Sequence, residues 1–262
     1  KRMTENLIEQ RVEIMPEPRN HNHIKYNDVR VPLDHLLGPE DGAKVLAQRR
    51  LGGGRIHHAM RTIAQVEAAL ESARLTQRAW RAVPMAERAA ILNRFCDVFE
   101  SHRDAIAEEL SWQMGRPIRF APSEVRGTLE RARHMIAIAP EALADIDVGP
   151  KAGFHRFLRR EPLGVIFTVA AWNYPYLIAV NSVVPALMAG NVVVLKHSAQ
   201  TPLCAERFEQ CLREAGLPEG AFQALHLSHA DTERVIGDSR VDFVAFTGSV
   251  AGGHAVQRAA AS

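Results

Sequence analysis

Apolar residues along this chain change period twice. Between about residues 63 and 145 they recur at helical spacing: Val66, Leu70, Ala73 and Trp80 share one face, then Ile91, Phe95, Val98 and Phe99 share another. Pro84 stands where a first-turn proline belongs, Gly115 reads as a helix stop, and residues 125–144 predict a further amphipathic helix. From Phe154 onward the pattern alternates. Short, continuous apolar runs predict strands at Phe154–Arg160, Val165–Ala171, Val192–Leu195, Phe222–Leu227 and Phe243–Thr247. Helical segments are predicted between and after them, at Tyr176–Met188, Leu203–Ala215, Thr232–Ile236 and Ala251–Ala261. Such alternation predicts an α/β fold, a doubly wound, mostly parallel Rossmann-like sheet with a helical segment before it. The first 62 residues follow neither rule. Residues 26–32 read as a strand ended by proline, Gly52-Gly53-Gly54 as a loop, and Arg55–Ala64 as the start of a helix.

Composition narrows the function classes. With 262 residues, 47% of them hydrophobic, the chain has material for one or two cores. A net charge of +2, from dispersed basic residues, argues against a nucleic-acid or membrane-surface partner. Cys96, Cys204 and Cys211 form no C-x-x-C pair, so neither a disulfide framework nor a zinc site is expected. No H-E-x-x-H arrangement occurs among the twelve histidines, and no metal site is expected. The opening KRMTENLIEQ lacks the apolar core of a signal peptide, and no apolar run is long enough to span a bilayer. A reducing, cytoplasmic setting is the expectation.

Three polar positions stand at predicted strand ends, where ligands of open parallel sheets bind. Asn173, in the turn Trp172-Asn173-Tyr174-Pro175, can donate its amide to a developing oxyanion or can serve as a turn residue. Lys196 can reach ribose hydroxyls or phosphate, or can be a solvated strand end. In Phe246-Thr247-Gly248-Ser249, with Gly253 beyond, a strand opens into a helix whose N-terminus attracts phosphate, although Ser249 also serves as a simple N-cap. The G-x-G-x-x-G fingerprint is missing.

Taken in order, EPLGV, AWNYP, PALMAGNVVVLK, HSAQTP, AGLPEGAFQ and VAFTGS resemble the N-terminal half of the NAD(P)-dependent aldehyde dehydrogenase superfamily, over about residues 65–262. The resemblance implies oxidation of a small-molecule aldehyde to a carboxylic acid with NAD or NADP. It implies Asn173 as oxyanion donor, Val169, Ala170 and Trp172 lining the cofactor channel, Lys196 on the adenosine ribose, and Gly248 and Ser249 at the pyrophosphate. Gly253 would allow close helix packing, and Ser198, Ala199, Phe246 and Thr247 join the cofactor set. Ala199 stands where the family carries an acid, which removes a ribose partner and also repulsion towards a 2′-phosphate, so the sequence leaves both NAD and NADP open. Ser228-His229-Ala230-Asp231 replaces the expected glycine-rich segment.

The segments that carry the family's catalytic glutamate and cysteine do not occur, so the expectation is an incomplete cofactor-binding half that does not turn over aldehyde. The strand around Phe154–Arg160 resembles a subunit-contact arm, compatible with a homo-oligomer. Residues 1–64, through YNDVRVPLDHLLG and LGGGRIHHAMR, resemble instead a piece of an acyl-CoA dehydrogenase, with Arg55 at a position associated with flavin contacts. The alternatives are therefore an inactive chimera joined near residues 63–66, or a flavoprotein remnant. FAD itself is not expected, because a flavin site needs a complete domain.

Overall fold

The computed structural model describes residues 12–16, 22–26 and 43–261. They divide into two units, Lys1–Met60 and Arg61–Ser262. In the first, β1 (Val12–Pro16) and β2 (Asn22–Tyr26) form an antiparallel hairpin with Ile14 opposite Ile24. Tyr26 ends β2, and the rest of the strand expected at 26–32 lies outside the described residues. The unit boundary falls within helix α1 (Ala43–Trp80). The loop expected at Gly52–Gly54 is helical instead. Each glycine costs about 1 kcal/mol in a helix, but the run of Ala, Leu, Gln and Arg before them propagates the helix.

In the second unit the helical part comes first. Pro84 is the N-cap of α2 (Met85–Ser101), and α3 (Arg103–Met114) stops at Gly115, which takes the left-handed φ of 72°. Helix α4 (Ala121–Ala142) follows. A short antiparallel pair, β3 (Ile146–Asp147) with β4 (Phe157–Leu158), leads into the sheet. The strand expected over Phe154–Arg160 is thus reduced to two residues. Both are exposed, so no core holds a longer ladder in place.

The sheet contains β5 (Val165–Val169), β6 (Val192–Lys196), β7 (Phe222–Ala224) and β8 (Phe243–Phe246), all parallel, in the order β7-β6-β5-β8. Helices α5 (Pro175–Met188), α6 (Pro202–Glu214), α7 (His229–Ile236) and α8 (Val250–Ala260) alternate with the strands. Strands β5 and β6 are buried at every residue, which explains their unbroken apolar runs. Strand β7 ends at Ala224, short of the expected Leu227, although Leu225 still donates its N–H to the Leu195 carbonyl of β6 at 2.9 Å. Gly190 joins α5 to β6 with φ +86°. A Cβ there would run into the Arg88 guanidinium and lie 3.3 Å from the Arg81 backbone, so only glycine fits without a shift.

Sheet and helices share one core. Phe95 and Phe99 of α2, Tyr176 of α5, Phe208 of α6 and Phe222 of β7 make a connected aromatic cluster with centroid distances of 5.1 to 6.3 Å. Trp80 closes the end of α1 by donating its indole N–H to the Leu187 carbonyl at 3.1 Å. No helix among the described residues is long and apolar enough to cross a membrane.

Candidate functional site: a crevice at the strand-order reversal

The strand order reverses between β5 and β8. Chain connections run outward from β5 through β6 to β7, then return to β8 on the other side of β5. Helices leaving adjacent strands on opposite sides of this point open a crevice at the carboxyl ends of the strands. Val169 is in register with both Lys196 and Phe246, so the three strand ends are level. A cavity of about 620 Å³ lies there.

Every site residue expected from sequence except Gly253 lines this cavity: Val169, Ala170, Trp172 and Asn173 after β5, Lys196, Ser198 and Ala199 after β6, and Phe246, Thr247, Gly248 and Ser249 after β8. Gly253 is a correction. A Cβ at Gly253 would meet Phe246 at an ordinary 3.7 Å, whereas one at Gly248 or Gly252 would come within 2.5 or 2.8 Å of the same ring. The close approach to the Phe246 ring therefore falls at Gly248, before the helix, and at Gly252, one residue before Gly253. Ser249 is the N-cap of α8, its hydroxyl accepting from the Gly252 N–H at 3.1 Å.

Lys196 is the most telling group. It is 7% exposed, and among the described residues its ammonium has no carboxylate partner and no side-chain hydrogen bond. Burial lowers its pKa from the ordinary value. An unpartnered ammonium at the end of a largely buried side chain that lines a cavity suits an oxygen-rich, anionic ligand. The exposed Asn173 lines the same crevice, and its side-chain amide is likewise unengaged among the described residues.

The turn that carries Asn173 is braced from below. Glu124 of α4 is buried and accepts the first backbone N–H groups of α5, from Tyr176 at 2.9 Å and Leu177 at 3.4 Å. Arg116 pairs with Glu124, donates to the Asn173 carbonyl at 2.8 Å, and stacks 4.6 Å from the centre of the Tyr174 ring. Burial raises the Glu124 carboxyl, and Arg116 with the two N–H groups opposes that shift. His197 adds a second brace. It is 2% exposed, its Nδ1 accepts from the Ser198 N–H at 3.0 Å, and its Nε2–H then donates to the Pro175 carbonyl at 3.1 Å. Burial pushes its pKa down to about 4, so it is neutral at pH 7 and ties the end of β6 to the start of α5.

Sequence reasoning missed four polar or close-packing positions of the crevice: Gly252, His229, Thr232 and Glu233. The last three belong to α7, which begins at His229, three residues before the predicted start. A signal was present. Ser228 and Asp231 have the S-x-x-D spacing of a capping box, and the Ser228 hydroxyl accepts the Asp231 N–H at 3.1 Å.

The three cysteines lie away from this chemistry. Cys96, Cys204 and Cys211 are buried, and burial pushes their thiols up to about 11, about 12 and about 12 respectively. None is a thiolate near neutral pH.

The model of the aldehyde dehydrogenase family matches residues 54–262, beginning before the boundary near residue 65 read from the motifs. A probable succinate-semialdehyde dehydrogenase [NADP(+)] of Synechocystis sp. is 36% identical over 197 residues, which is 75% of this chain and 43% of that protein. Among solved structures, succinic semialdehyde dehydrogenase from Streptococcus pyogenes in complex with NADP+ superposes with a TM-score of 0.70 at 31% identity, covering 74% of this chain and 43% of that one. An NAD-dependent benzaldehyde dehydrogenase from Corynebacterium glutamicum gives a TM-score of 0.71 at 29% identity, covering 76% and 43%. The chain thus spans about two fifths of the length of these relatives.

Proposed function

This chain belongs to the aldehyde dehydrogenase family, and on that premise we propose that its crevice is the NADP or NAD site of an enzyme that oxidises a small aldehyde to a carboxylic acid. The observation that carries the reading is Lys196, a buried cation without a protein partner at the floor of a cavity built on the strand-order reversal. The residues present fit such a cofactor. Lys196 and Ser198 offer donors to ribose hydroxyls or phosphate, Gly248 and Ser249 open a helix whose N-terminus suits a pyrophosphate, and Ala199 leaves room and no negative charge beside a 2′-phosphate. NADP is therefore the favoured form, in keeping with the printed names of the cyanobacterial and streptococcal relatives.

A nicotinamide held in this crevice would supply the hydride acceptor of the oxidation. The chain's own residues bind, orient and stabilise. Asn173 directs its amide at the oxygen of the reacting carbonyl, and Arg116, Glu124 and His197 hold the turn that aims it. Trp172 and Ile178 narrow the channel. The nucleophilic thiolate of this chemistry is not supplied by Cys96, Cys204 or Cys211, so these 262 residues alone are expected to bind nucleotide without oxidising aldehyde.

The test is a thermal melt with NADP and with NAD. Ligand at 100 times its dissociation constant stabilises the native state by about 2.7 kcal/mol. A raised midpoint, larger with NADP, that disappears in Lys196→Met supports the reading. A midpoint indifferent to both nucleotides overturns it.

We also propose that residues 1–64 are an acyl-CoA dehydrogenase-like remnant without residual FAD affinity, joined to the aldehyde dehydrogenase region as a chimera. The support is the sequence of residues 26–38, which precede the residues matched by the family model. A single uninterrupted transcript across codons 63–66 would argue against an assembly artefact. The exposed Phe154, Phe157 and Leu158 of the β3–β4 region support self-association, which sedimentation at two protein concentrations tests.

A further inference from the structure

We draw no further inference here: the strongest candidate, the outer edge of β8 with the apolar groove that Leu163, Pro185, Ala186 and Phe243 line beside it, carries nothing because nothing in the structure shows what covers it.

Discussion

Strands β5 and β6 are buried at all ten positions, whereas β8, on the other side of the crevice, has no buried residue, and neither has α8. One wall is the centre of the core. The other is secured locally, by the Ser249 cap, by the Phe246 ring lying under Gly248 and Gly252, and by backbone pairing of β8 along β5. The floor that carries Lys196 is thus part of what makes the chain fold, while the anion-binding turn depends on a few local contacts. Changes to the first wall should be read in global stability, and changes to the second in ligand response.

The largest expected effect breaks the buried side. Phe208 is fully buried and touches four other aromatic rings, so Phe208→Ala should cost about 3–5 kcal/mol in urea unfolding. Phe246→Ala, on the partly buried side, should cost less than half of that yet abolish the nucleotide-induced rise in melting temperature. Equal costs for the two substitutions would show that the walls are not different in kind.

Next in size is acid. His197 has a folded pKa of about 4, below the ordinary value of about 6.5 for histidine. The unfolded chain therefore takes up a proton that the folded one refuses as pH falls from about 6.5. The contribution of His197 is fully present above about pH 6.5 and is lost progressively down to about pH 4, in total about 3 kcal/mol. Stability measured by urea titration at several pH values should show this loss, and His197→Gln should flatten that part of the profile. An unchanged slope in the variant would assign the acid sensitivity elsewhere.

The smallest effect sharpens the comparison. Ser249→Ala removes the α8 cap, worth about 1 kcal/mol. Because α8 buries no residue completely, the loss should appear as faster amide exchange confined to that helix, with the global unfolding midpoint nearly unmoved. A midpoint shift as large as that of a core substitution would mean that α8 is coupled to the core after all.

Much of this was legible in sequence. Unbroken apolar runs placed β5 and β6 within two residues of their observed ends, and Gly115 marked the end of α3. Lys196 could be named from its place at a strand end, but its burial and lack of a partner could not, since both depend on what α5, α7 and α8 bring around its cavity. Glu124 and His197 left no comparable signal. A glutamate in an amphipathic helix and a histidine after a lysine both read as solvated, and only the fold places them under the first turn of α5. The α7 start was legible through Ser228 and Asp231, yet the missing glycines drew attention away from the cap. The strand expected at Phe154–Arg160 failed for the opposite reason: apolar residues there have no facing surface, so composition overstated the pairing.

By itself, the sequence determined the periodicities, and with them the alternation of buried strands and amphipathic helices, because solvent exposure on one face or none is written residue by residue. It also determined which polar groups stand at strand ends, since a chain can leave a parallel sheet only there. The tertiary structure alone decided which of those groups face one another. Contacts such as Arg116 with Asn173, His197 with Pro175, or Lys196 with the cavity it shares with His229 and Glu233 join elements separated along the chain, and their energies depend on burial and distance that no local pattern encodes.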